Sequence, residues 1–118
     1  MIVALVDDLF FSSKITETAR QLGCALTVVT TREALLKEID SHPEKLIFDL
    51  NCKSCDIVEL IGELRRRGIG IPMMAFLSHV QTDLARAARE AGCDKVVPRS
   101  YFSAHLPEIL SAPSEPRA

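Results

Sequence analysis

Five short apolar runs, separated by segments with helical spacing, constrain the fold of this chain more than any other feature of its sequence. The runs are residues 2–6, 26–30, 45–50, 71–77 and 95–98. Continuous apolar runs of this length are typical of strands that are buried on both faces, as in a parallel sheet. Ile15, Ala19 and Leu22 follow the first run with helical spacing, and Gly23 then indicates a helix end.

The segments between and after these runs predict five helices, one after each strand. The predicted helices are residues 12–22, 33–39, 58–67, 82–91 and 104–110. Thr31 is expected to cap the second helix, and the three arginines at 65–67 are expected to form a solvated last turn of the third. Five successive strand–helix units predict an α/β fold, a parallel sheet with helices on both faces and right-handed crossovers.

Composition excludes several classes of protein. A chain of 118 residues suits one domain, and its formal net charge of -2 provides no basic surface for nucleic acid. The apolar runs are too short to span a membrane, and residues 1–6 lack the basic region of a signal peptide. The four cysteines suit buried thiols in a reducing compartment. We therefore expect a cytoplasmic protein that binds neither nucleic acid nor a membrane directly.

Charged and polar side chains follow the strands at the points where the strands end. They are Asp7, Asp8, Asp49, Ser78 and Arg99. The carboxyl ends of parallel strands meet at one edge of the sheet, where ligands bind in this class of fold. We therefore expect three carboxylates, a hydroxyl and a guanidinium to converge there.

Crowded carboxylates repel one another unless a cation joins them, and Mg²⁺ prefers such oxygen ligands. An aspartate beside this ion can attack a phosphoryl donor and become an acyl phosphate. The alternative interpretation is structural: Asp7, Asp8 and Asp49 would be solvated strand ends or helix N-caps.

Three motifs resemble those of the receiver domains of bacterial two-component response regulators. They are Val6-Asp7-Asp8, Asp49-Leu50-Asn51 and Val97-Pro98-Arg99-Ser100-Tyr101. The resemblance covers residues 2–111 and implies a flavodoxin-like, doubly wound sheet with strand order 2-1-3-4-5. Residues 112–118, which are rich in proline and polar side chains, are then expected to be a disordered tail or the remnant of a linker.

The resemblance also implies roles for individual residues. Asp49 would be the phosphoacceptor, with Asp7, Asp8, Asp49 and the main-chain carbonyl of Asn51 holding Mg²⁺. Arg99 and Ser78 would contact the phosphoryl group. The partners would be a histidine kinase or phosphotransfer protein and a downstream effector. The chain would not be an enzyme beyond phosphorylating and dephosphorylating itself at Asp49.

The output surface implied by the resemblance is the face formed by the fourth helix, the fifth strand and the last helix. This face includes Tyr101, and a homodimer is possible through it.

Several positions depart from the family pattern. Leu77 occupies the place of the usual threonine or serine, with Ser78 one residue late, and a slip of one residue turns a side chain to the other face of a strand. Arg99 replaces a lysine, which preserves the charge but not the shape. Val96 replaces the aromatic switch residue. The phosphoaccepting receiver is the favoured hypothesis, and these departures add a second one, a degenerate receiver that binds proteins without being phosphorylated.

Cys52 and Cys55 form a C-x-x-C motif at the expected start of the third helix. A helix N-terminus lowers the pKa of a thiol, so a third hypothesis is a small thiol oxidoreductase. Cys24 and Cys93 are expected at the opposite end of the sheet, too far away to complete a metal site. His79 follows the fourth strand and is interpreted as a solvated loop residue, with contact to a ligand or partner as the alternative.

Overall fold

We describe the fold from a computed structural model, which covers residues 1–78 and 81–112. The strands are β1 (Ile2–Leu5), β2 (Leu26–Val29), β3 (Lys45–Asp49), β4 (Met73–Leu77) and β5 (Lys95–Pro98). The helices are α1 (Leu9–Leu22), α2 (Arg32–Ile39), α3 (Ile57–Arg66), α4 (Thr82–Ala91), α5 (Arg99–Ala104) and α6 (Leu106–Ser111). The predicted tail lies almost entirely outside the described residues.

The five strands form one parallel sheet in the order β2-β1-β3-β4-β5, which confirms the predicted fold. Every residue of β1, β3 and β4 is buried, because helices cover both faces of these central strands. One apolar core includes Leu35, Phe48 and Leu60, under α2, α3 and α4. The other includes Ile15 and Phe102, under α1, α5 and α6. The sheet therefore presents the carboxyl ends of β1, β3, β4 and β5 side by side.

Two helix starts follow from side-chain caps. Thr31 accepts a hydrogen bond from the amide of Ala34, as predicted. Asp8 accepts one from the amide of Phe11, so α1 begins at Leu9, three residues before the predicted start. The alternative interpretation is therefore correct for Asp8, which is the N-cap of α1.

The last helical region differs from the prediction of one helix over residues 104–110. A first helix begins directly at Arg99, and the chain leaves helical geometry at His105 before a second helix starts at Leu106. Pro107 stands in the first turn of this second helix, where its missing N–H breaks no helical hydrogen bond. As a consequence, Arg99 lies on the first turn of α5.

The three arginines at 65–67 are not all solvated, which corrects the prediction for this turn. Arg66 and Arg67 are exposed, but Arg65 donates hydrogen bonds to three main-chain carbonyl oxygens at 2.8 to 3.0 Å and to Asp94 at 3.0 Å. These carbonyls belong to Ile69, Ile71 and Gly92. Arg65 therefore fastens the end of α3 to the turns before β4 and β5.

No helix within the described ranges is both long and apolar enough to cross a membrane.

Candidate functional site

Asp49 is the last residue of β3 and the most deeply buried carboxylate at this edge of the sheet, with 1% of its surface exposed. Its Oδ1 accepts a hydrogen bond from the amide of Asn51 at 2.9 Å. Its Oδ2 accepts one from the guanidinium of Arg99 at 3.1 Å. Both oxygens of a buried carboxylate are thus held in fixed positions by donors.

Arg99 joins two carboxylates. While one terminal nitrogen donates to Asp49, the other donates to Oδ2 of Asp8 at 3.3 Å. The guanidinium carbon lies 4.8 Å from the ring centre of Phe11 and 5.6 Å from that of Phe76. Aromatic faces attract a planar cation, so these rings support the guanidinium between the acids.

The two carboxylates have opposite pKa shifts. Burial raises the pKa of Asp49, and the charges of Asp7 and Asp8 add to the increase, although the amide of Asn51 and the charge of Arg99 oppose it. The pKa of Asp8 is lowered, first by the hydrogen bond from Phe11 and then by Arg99. The environment therefore favours the ionised form of Asp8 and disfavours that of Asp49.

Asp7 and Asn51 organise the loop over the site. Oδ2 of Asp7 accepts a hydrogen bond from the amide of Lys53 at 2.9 Å. The side chain of Asn51 donates to Gln81 at 2.6 Å and accepts from the amide of Ser78 at 3.1 Å. The loop after β3 is thus joined to the loop after β4. Sequence reasoning missed Gln81, because nothing in its local pattern marks it as a functional residue.

The fourth strand has no hydroxyl at its last position. Leu77 is buried, whereas Ser78 is exposed and lines an open groove of about 570 Å³ between α1 and α5. The groove is lined by Asp8, Phe10, Phe11, Lys14, Ser78, Arg99, Ser100 and Ser103. Ser78 therefore faces the same space as Arg99, but from the strand end.

The oxygen donors of this site fit a hard divalent cation by their chemistry, since three carboxylates outnumber the single guanidinium that lies between two of them. The expected ligands are Asp7, Asp8, Asp49 and the Asn51 carbonyl. In their present positions, no three histidine, cysteine, aspartate or glutamate side chains of the described residues are grouped to hold a metal ion. The site thus has suitable oxygen donors, and the guanidinium of Arg99 lies between two of them.

Three solved structures have the same architecture as this chain. The receiver domain of Francisella response regulator 1452 aligns with a TM-score of 0.80 at 17% identity, covering 92% of this chain and 91% of that one. This chain has the receiver fold of response regulators. The receiver domain of NtrX from Brucella abortus gives a TM-score of 0.80 at 15% identity, with 92% and 93% covered. A CheY-like receiver domain protein from Methanospirillum hungatei JF-1 gives 0.78 at 16%, with 92% and 87% covered.

The sequence itself matches no family model and no curated protein. The receiver fold is therefore established by structure, and the roles of its residues depend on the geometry of this site.

The predicted output face of the receiver fold carries one exposed aromatic side chain. Tyr101 lies on α5 with 41% of its surface exposed, and its ring stacks on that of His105 at 4.1 Å. Val96 on β5 is partly buried. His79, the other residue expected near the site, lies outside the described residues.

Neither thiol of the C-x-x-C motif is fully exposed. Cys52 is buried and its Sγ lies 3.1 Å from the hydroxyl of Ser54. Burial raises the pKa of Cys55, so the expected lowering by the helix N-terminus is wrong for this thiol. Cys24 and Cys93 precede β2 and β5, at the amino ends of the strands as predicted. The geometry gives no support to the thiol oxidoreductase hypothesis.

Alkylation should distinguish these thiols. Burial raises the pKa of Cys93 to about 11, so this thiol carries almost no thiolate at neutral pH. We expect iodoacetamide at pH 7.5 to leave Cys93 unmodified in the folded protein and to modify it in denaturant, as measured by peptide mass spectrometry. Cys24, which is partly exposed, serves as the internal control. Equal labelling of Cys93 and Cys24 in the folded protein would contradict this prediction.

Proposed function

We propose that this chain is a two-component receiver that accepts a phosphoryl group on Asp49 from a histidine kinase or phosphotransfer protein, with Mg²⁺ as the cofactor. The observation that supports this most directly is the setting of Asp49. It is a buried carboxylate at a strand end, beside two further carboxylates and a guanidinium that can follow a transferred charge.

Several residues of the chain have separate roles in the transfer of the phosphoryl group. The amide of Asn51 holds Oδ1 of Asp49, so Oδ2 is the oxygen that bonds to phosphorus as the bond to the donor's leaving group breaks. Arg99 already lies on Oδ2 and would move with it to pair with the phosphoryl oxygens. Mg²⁺, held by Asp7, Asp8, Asp49 and the Asn51 carbonyl, would neutralise charge on the transferred group. Ser78 is the hydroxyl on the groove side.

A second function, the degenerate receiver, is favoured by one observation. Leu77 fills the last position of β4 with a buried apolar side chain, so the hydroxyl that would report phosphorylation is displaced to Ser78. In this alternative the fold is retained as a protein-binding module, and Arg99 pairs with Asp8 and Asp49 in place of a metal ion.

For either function, the proposed effector surface is the face of α4, β5 and the last helical region, α5 and α6, with Tyr101. This face is also the proposed dimer surface. The proposed location is the cytoplasm, without direct contact to nucleic acid or membrane.

Intact-mass spectrometry with a small acyl phosphate and saturating Mg²⁺ tests the proposal. We expect the wild type to gain the mass of one phosphoryl group and Asp49→Asn to gain none, because an amide is not a nucleophile for this transfer. Asp56→Asn is the matched control, since Asp56 caps α3 through Oδ1 and asparagine is an equally good cap.

No mass gain in the wild type would exclude phosphoryl acceptance and leave the degenerate receiver. An equal gain in Asp49→Asn would place the acceptor elsewhere.

A further inference from the structure

The guanidinium of Arg99 occupies the centre of the acidic site. It donates to Asp8 at 3.3 Å and to Asp49 at 3.1 Å, and these residues come from different strand ends. We infer that Arg99 is the resident cation of this site and competes with a divalent ion for Asp8 and Asp49. The inference rests on the proposed function only in the choice of Mg²⁺ as the competing ion.

Competition follows from which oxygens are engaged. Oδ1 of Asp8 caps α1 and Oδ2 pairs with Arg99, while the two oxygens of Asp49 pair with Asn51 and Arg99. A divalent ion bound to both carboxylates would lie among the oxygens with which Arg99 pairs, a few ångströms from the guanidinium. Two positive charges cannot share this small space without strong repulsion. When no phosphoryl group lies between them, Arg99 and the ion are therefore alternative occupants.

The contacts around Arg99 suit a guanidinium better than an ammonium. A planar fork can donate to two carboxylates from separate nitrogens while its face rests on aromatic rings, whereas an ammonium is a compact point charge. Phe76 is fully buried and Phe11 nearly so, and they stack edge to face at 4.8 Å between ring centres. Because Arg99 pairs with both carboxylates and lies on these packed rings, its position does not depend on a bound ligand.

Calorimetric titration of the metal-free protein with Mg²⁺ alone, at constant ionic strength, tests the inference. We expect Arg99→Ala to bind Mg²⁺ about tenfold more tightly than the wild type, or better, because a competing unit charge a few ångströms away is removed. Arg99→Lys should be intermediate, because lysine retains the charge but not the two-pronged contact. Arg86→Ala is the matched control: Arg86 is an exposed arginine whose only described ion pair, with Asp83, lies on α4. It should match the wild type.

The outcomes separate cleanly. Equal or weaker Mg²⁺ binding in both Arg99 variants, or no Mg²⁺ binding in any variant, would overturn the inference. If circular dichroism shows that Arg99→Ala does not fold, Arg99→Lys decides the question. The test involves no phosphoryl donor, so tighter binding in these variants would stand even if the wild type gains no mass from an acyl phosphate. Conversely, a wild type that is phosphorylated at Asp49 but binds Mg²⁺ as tightly as Arg99→Ala would support the proposed function and contradict this inference.

Discussion

Replacing Phe76 by alanine is expected to lower the free energy of unfolding by about 3–5 kcal/mol, because a fully buried ring is lost and a cavity remains. Phe76 stacks on Phe102 with 4.5 Å between ring centres and meets Phe11 edge to face at 4.8 Å. These aromatic contacts add to the burial term. Urea unfolding followed by circular dichroism would measure the loss.

Phe10→Ala is the matched control, since the Phe10 side chain is 92% exposed and its truncation should change stability by less than about 0.5 kcal/mol. A loss of similar size in both variants would contradict the assignment of Phe76 to the centre of this core. Phe76 also lies beneath Arg99, so Phe76→Ala should loosen the guanidinium as well as the core. Phe76→Leu, which leaves a smaller cavity, should cost less.

Gly92→Ala is expected to have the second largest effect, a loss of about 2–4 kcal/mol, because two costs coincide. Gly92 follows α4 with a backbone φ of 121°, which residues other than glycine rarely adopt. A Cβ atom there would lie 2.6 Å from Cγ of Arg65. Arg65 cannot easily withdraw, since its guanidinium donates to Ile69, Ile71 and Asp94 as well as to Gly92 itself.

Two other glycines separate the two costs. A Cβ at Gly68 meets nothing within 4 Å but has a φ of 82°, so Gly68→Ala should show the backbone cost alone, about 1 kcal/mol or somewhat more. Gly70 has neither problem, and Gly70→Ala should be within about 0.5 kcal/mol of the wild type. Thermal or urea unfolding of the three variants would show the order. A Gly92 variant as stable as the Gly70 variant would disprove the close approach to Arg65.

The strands were predictable because the central strands are buried on both faces, whereas their order was implied by the resemblance to receiver domains. Such strands appear in the sequence as continuous apolar runs, and β4 and β5 end where the runs end. Helix α4 was also predicted with its observed bounds, because Gly92 marks its end. Strands and helix ends that are marked by local sequence patterns can therefore be predicted from the sequence.

The errors arose where a tertiary contact decides the structure. Nothing in the arginine run at 65–67 shows that only Arg65 turns inward, since its partners lie after α3 and around Gly92. The start of α5 at Arg99 was missed because Pro98 and the polar residues after it suggest a loop. The early start of helix α1 was not predicted because its exposed first residues, Leu9 and Phe10, do not follow the amphipathic pattern.

For the site, the sequence located the carboxylates and Arg99 but not the contacts of the surrounding loops. That Asp8, Asp49 and Arg99 meet follows from the parallel topology, and the structure brings them together. The turn of Asp7 toward the amide of Lys53 and the bond between Asn51 and Gln81 could not be predicted. These contacts depend on loop conformations that have no periodic signal. The proposed metal ligation and phosphorylation remain predictions.

Asp8 has one further consequence, for how this site can change. Its Oδ1 starts helix α1 and its Oδ2 bears on the charge of the pocket, so one side chain serves both folding and chemistry. Asparagine would keep the first task and abolish the second, because it caps helices as well as aspartate does. One substitution can therefore remove one of the three carboxylates of the pocket without disturbing the start of the helix. A chain of this fold can thus lose one proposed metal ligand while remaining folded.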